Sequence, residues 1–154
     1  MQAQILAPAA VLVLWSLVML YWMAFTRLPA LKNLGGGSGG GLRSAKPGGR
    51  GQDLEGVIPD QIQWKAHNYA HLMEQPTIFY AAVAILAIMG PGSWDVLLAW
   101  IYVGLRIVHS VYQATVNVVK VRFLLFLVSS IALTILAVRA VMATLFHDPS
   151  MATP

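Results

Sequence analysis

Residues 102–123 read YVGLRIVHSVYQATVNVVKVRF, and the fold follows from how this stretch divides its polar and apolar positions. At about 100° per residue, Tyr102, Arg106, His109, Ser110, Gln113, Asn117 and Lys120 fall within roughly 100° of one helix circumference. The remaining positions are almost all apolar. Upstream, residues 64–80, WKAHNYAHLMEQPTIFY, carry a second stripe. There His67, Asn68, His71, Glu74 and Gln75 share roughly 120° of arc. Two such stripes on apolar cylinders cannot face lipid. They must face each other, a neighbouring subunit or a water-filled cavity.

The rest of the 154 residues agrees with a membrane setting: 58% are hydrophobic and 10% charged, against about a quarter charged in a soluble domain. Ile5 to Thr26 holds 22 residues without a charge, enough to cross a hydrocarbon core of about 30 Å. Its uncharged start, its length and Trp15, Tyr21 and Trp22 read as a retained first helix rather than a cleaved signal peptide. Ten of the 13 glycines lie between Gly35 and Gly56, so 29–59 reads as a flexible loop; it lacks the GKS or GKT of a phosphate loop. Pro59-Asp60 with Gln63 resembles a helix start, Gly90-Pro91-Gly92 a break, and Ser93 with Asp95 a cap for the next helix. Phe123 to Val138 gives 16 uncharged residues between Arg122 and Arg139. The expected architecture is all-α: one domain over 1–154, an integral membrane four-helix bundle with helices at about 5–26, 60–89, 93–119 and 121–146. Basic residues cluster around the long loop and at Lys120 and Arg122, which by the positive-inside rule places both termini outside the cytoplasm, with Arg139 opposing weakly. A bacterial inner membrane is the expected location.

The chain has no cysteine, which excludes disulfides, thiolate metal sites and cysteine nucleophiles. Its net charge of +4 is not gathered into an arm or a helix face, so nucleic acid is not an expected partner. Glu74 and Arg106 sit at membrane depth, where ionisable groups usually serve function. Several readings compete. Glu74 with Arg106 as a buried ion pair would fix helix register. Asn68, Gln113 and Asn117 would serve as interhelical glue at about 0.6 kcal/mol each. His71 and His109 as haem ligands suit poorly a pair of stripes rich in charges and amides. Zinc on the histidines would be repelled by Arg106. A small transporter would use Glu74 as proton carrier. Neither metal nor haem is expected.

The two quoted segments together resemble the MAPEG family, membrane-associated proteins in eicosanoid and glutathione metabolism, most closely its bacterial, uncharacterised branch. The resemblance covers most of the chain, and Arg-x-x-His-Ser at Arg106 to Ser110 is its most specific part. It implies a four-helix bundle that assembles as a homotrimer, with glutathione as co-substrate bound between subunits near the cytoplasmic side, and transferase or peroxidase chemistry on small hydrophobic electrophiles drawn from the lipid. It further implies that Arg122 stabilises the glutathione thiolate. Lys65, Asn68, His71, Glu74, Arg106, His109 and Gln113 would bind glutathione, with Lys65 on a carboxylate and Glu74 on the amine. The pattern departs from the family at three places. His71 stands where the family usually has Asn, Gln113 where the enzymes often have Tyr, and Lys65 replaces an Arg, losing its bidentate fork. A thiol-binding site needs cations, one anion and amide donors, and these residues supply that set. If the chemistry is thiol-based, a chain without cysteine must take its sulfur from a co-substrate. The rival from another class is a non-catalytic membrane protein of the same fold that binds a lipid or a protein partner.

Overall fold

The computed structural model describes residues 1–35 and 50–146. The described residues form five α-helices: α1 (Gln2–Gly35), α2 (Asp60–Leu72), α3 (Gln75–Met89), α4 (Ser93–Thr115) and α5 (Val119–Leu145), with a short 3-10 turn at Gly51–Leu54 and no strand. α2 and α3 are two halves of one span, so four segments are long and apolar enough to cross a membrane. They run up, down, up and down.

Several boundaries differ from the sequence expectation. α1 runs past Thr26 to Gly35, through Pro29. Proline there removes only one backbone donor, a loss that a long membrane helix tolerates. The central part of the expected 29–59 loop, 36–49, lies outside the described residues. The chain returns at Gly51, whose carbonyl accepts a 2.7 Å hydrogen bond from Arg27 Nη2. Residue 59 precedes α2, and no side chain caps that end. α4 starts after Gly92, whose N–H donates to Asp95 Oδ2 at 2.8 Å, so Asp95 rather than Ser93 makes the cap. α4 stops at Thr115, short of 119, because Asn117 takes φ of +56°. Asparagine is among the few side chains that tolerate this left-handed turn. Asn117 therefore leaves the stripe for the corner, and Lys120 is exposed at the start of α5.

Inside a bilayer, apolar side chains gain nothing by leaving lipid for protein. Close packing and interhelical hydrogen bonds must hold the bundle together. Small residues permit the close approach: Ala99, Ala114, Ser110, Ala132, Ser129 and Ala140 are all buried on α4 and α5, the most extensively packed pair. Between these small contacts the larger residues Leu12, Leu72, Phe79, Val83, Tyr102 and Leu136 interlock. The Phe79 and Tyr102 rings stack with centroids 4.5 Å apart. Phe25, Ile88 and Leu145, each at least 73% exposed, point away from the bundle, as lipid-facing residues should.

The far ends of α4 and α5 are tied by Asp95 and Arg139. Arg139 Nε donates to Asp95 Oδ1, and Nη2 to Oδ2 at 3.0 Å. The fork makes a bidentate pair. Arg139 is therefore paired with a counter-charge on α4. Asp95→Ala would remove both the Arg139 partner and the cap on Gly92. Since Arg139 remains partly solvated, the expected loss is about 1–3 kcal/mol, read as a lower unfolding midpoint in detergent. Serine at position 95, which keeps the cap alone, should recover part of it.

Candidate functional site

The site grows out of a break in the second span. Pro76 has no N–H to offer the Leu72 carbonyl and its ring crowds that carbonyl, which favours a break at this point. Glu74 adopts φ −90° and ψ −91°, outside helical values, and α3 restarts at Gln75. The Thr77 hydroxyl covers the Glu74 carbonyl at 2.6 Å. The break loosens the hold on the His71 carbonyl, which the Glu74 N–H reaches only at 3.4 Å. That carbonyl accepts a 3.1 Å hydrogen bond from Arg106 Nη2 on α4.

Arg106 is wholly buried, and its guanidinium carbon lies 5.9 Å from the Phe126 ring centroid on α5. The cation thus rests on a backbone carbonyl and an aromatic face. Its Nε and Nη1 have no protein partner, and neither do Asn68 Oδ1 and Gln113 Oε1. One turn toward the loop side, Asn68 Nδ2 donates to Ser110 Oγ at 2.8 Å. The α2 and α4 stripes therefore do face each other over Asn68, His71, Arg106 and Ser110.

The Glu74–Arg106 ion pair, one of the competing readings of the sequence, does not form. Glu74 Oε2 instead lies 2.8 Å from His71 Nδ1, with the Glu74 side chain 68% exposed and that of His71 26% exposed. The His71 ring is held on its other sides by His109 and Phe126, with centroids 5.2 and 5.4 Å away. His109 is buried beside it.

The remaining candidates lie apart from this cluster. Lys65 is half-buried; its Nζ donates to Gln61 O at 2.8 Å and sits 5.3 Å from the Trp22 ring centroid. Arg122 is half-buried at the α4–α5 corner, where Nη1 donates to Asn117 Oδ1 at 2.7 Å. The candidates thus fall into two sets. Asn68, Arg106, His109 and Gln113 are enclosed within the chain, while Lys65, His71, Glu74 and Arg122 keep exposed surface.

Two participants, Phe126 and Ser130, were missed in the sequence, whereas Gln75 was placed on the stripe without a partner. Phe126 supplies the aromatic wall. Gln75 and Ser130 make a second polar link, in which Gln75 Nε2 donates to Ser130 Oγ at 2.7 Å and Tyr102 OH approaches Gln75 Oε1 at 3.4 Å. Gln75 and Ser130 also line a groove of about 440 Å³ between α3 and α5. The available signals were the paired serines inside the apolar run Phe123 to Val138 and the placement of Phe126 one turn after Arg122.

Pro76→Ala would restore the missing donor and let the helix run through. The His71 carbonyl would then be recaptured within its own helix. Amide hydrogen exchange over 72–77 should slow, and Arg106, deprived of its acceptor, should lower the unfolding midpoint by about 1–3 kcal/mol. Unchanged exchange over that segment would refute the proline as cause of the break.

The comparisons with known proteins agree with this architecture. Neither the curated proteins nor the solved structures returned a match. The model of the MAPEG family matches residues 5–142, nearly the whole chain and all four spans. A chain matched over that length, with four membrane-spanning helices and the polar stripes of the second and third spans packed together, is a multi-pass integral membrane protein that belongs to the MAPEG family, a family that includes glutathione transferases and peroxidases.

Proposed function

We propose that this protein is a membrane-bound, glutathione-dependent transferase or peroxidase acting on small hydrophobic electrophiles, assembled as a homotrimer with its sites between subunits. The observation that carries this reading is the position of Glu74. It is the fifteenth residue of a 30-residue span, yet its side chain is 68% exposed on the single chain. A carboxylate left facing lipid at that depth is costly. A second subunit, together with a cationic ligand group, would satisfy it.

Glutathione offers an ammonium, two carboxylates and a thiol. Glu74 would take the ammonium through Oε1, because Oε2 is already engaged by His71. Lys65 would take a carboxylate as a point charge. Arg122 would lie against the sulfur, where a guanidinium favours the thiolate, which is the attacking species. Arg106 and His109 would act from behind, by holding His71 and the α2 backbone in place, while Asn68 ties α2 to α4 and Gln113 is buried beside them. In the orientation set by the basic residues, Arg122 and Lys65 lie at the cytoplasmic end of the bundle. A water-soluble thiol would meet there an electrophile arriving from the inner membrane.

The test is a glutathione titration of the detergent-solubilised protein, followed by ultraviolet difference absorbance of the thiolate. A saturable band is expected, absent in Arg122→Ala while the trimer persists. Turnover in that variant equal to wild type would remove Arg122 from the mechanism. Glu74→Gln exchanges a charge-assisted contact of about 1.5–3 kcal/mol for a neutral one, so glutathione affinity should fall roughly tenfold or more. Measured by calorimetry, unaltered affinity would contradict the ammonium role.

A further inference from the structure

His71 stands where the family motif has asparagine, and its ring is built into the site more firmly than a ligand-binding imidazole requires. Four contacts define it. Nδ1 lies 2.8 Å from Glu74 Oε2. The residue's own carbonyl is clamped by Arg106 at 3.1 Å. The His109 and Phe126 rings pack against it at 5.2 and 5.4 Å. A carboxylate on Nδ1 selects the tautomer with the proton on that nitrogen, which leaves Nε2 as a free acceptor. The same carboxylate stabilises the imidazolium once Nε2 takes a proton. This is the arrangement by which a buried carboxylate orients a general base elsewhere.

The dyad also points at the right neighbourhood. Phe126, which packs on His71, lies four residues after Arg122 and therefore on the same face of α5. The His71 side chain remains 26% exposed, so it is not sealed inside the bundle. Asparagine at position 71 would offer a hydrogen bond but no proton acceptor.

We propose that His71, oriented by Glu74, is the base that takes the proton from the co-substrate thiol; this rests on the glutathione reading above. The S–H bond breaks, its electron pair stays on sulfur, and an N–H bond forms at His71 Nε2. The thiolate, held by Arg122, then forms the S–C bond as the leaving group departs with its bonding pair. Nε2 returns its proton to that group or, when the group is a stable anion, to water.

The experiment compares wild type, His71→Asn and His71→Ala in detergent, with glutathione as ligand and chlorodinitrobenzene as electrophile. Calorimetry reads glutathione affinity, difference absorbance reads the thiolate, and steady-state kinetics reads kcat and KM. Both variants are expected to bind glutathione within a few-fold of wild type, to form more slowly the thiolate that Arg122 holds, and to lose about 10²-fold or more in kcat. Imidazole added to the solution is expected to restore turnover to His71→Ala, a rescue that a purely structural role does not allow. A wild-type rate of thiolate formation or wild-type kcat in His71→Asn would overturn the proposal, as would loss of turnover that imidazole leaves untouched. Absence of glutathione binding in wild type itself would instead remove the underlying reading, and the two failures are told apart by that first calorimetric trace.

Discussion

The structure depends on the enclosure of one guanidinium. Arg106 is the fourteenth of 23 residues in α4 and has no solvent exposure. A cation at that depth must be surrounded by acceptors, aromatic faces or water. Here the surroundings come from two other elements: the His71 carbonyl of α2 and the Phe126 ring of α5. The need to supply them sets the register of α2 against α4, which the Asn68–Ser110 bond then reinforces one turn away.

The proline break serves that enclosure. A continuous helix keeps its carbonyls for itself and has none to give to a neighbour. By interrupting the second span after Leu72, Pro76 frees a carbonyl at the depth where Arg106 needs one. The same break turns Glu74 outward, onto the exposed edge of His71. One backbone irregularity thus separates the two charges of the site, with the cation inside the bundle and the anion at its surface. Non-helical backbone at membrane depth is tolerated only where protein or a cavity covers it. This is a physical reason to expect a covering surface over Met73 and Glu74, and the inter-subunit reading supplies one.

Much of this was legible in the sequence, for two reasons. A span must be long and apolar to cross a bilayer, so length and hydropathy located all four. A helix has a fixed angular step, so the polar positions of the second and third spans could be gathered into stripes without coordinates. The burial of Arg106, His109, Ser110 and Gln113 follows from that alone. Less legible were the ends of elements. Pro29 reads as a stop yet lies within α1, whereas Asn117 reads as part of a helical stripe yet turns the corner at φ of +56°. Both residues are compatible with two backbone states, and the neighbouring contacts choose between them.

What the sequence by itself determined is the class of molecule: an apolar chain with four spans and two polar faces that lipid rejects. What only the tertiary structure decided is which polar groups meet. Angular position along a helix says nothing about the distance to a partner on another helix or about the local break that redirects a side chain. For that reason Glu74 finds His71 rather than Arg106, Arg106 finds a carbonyl and a phenyl ring, and Arg139 finds Asp95 across the far end of the bundle.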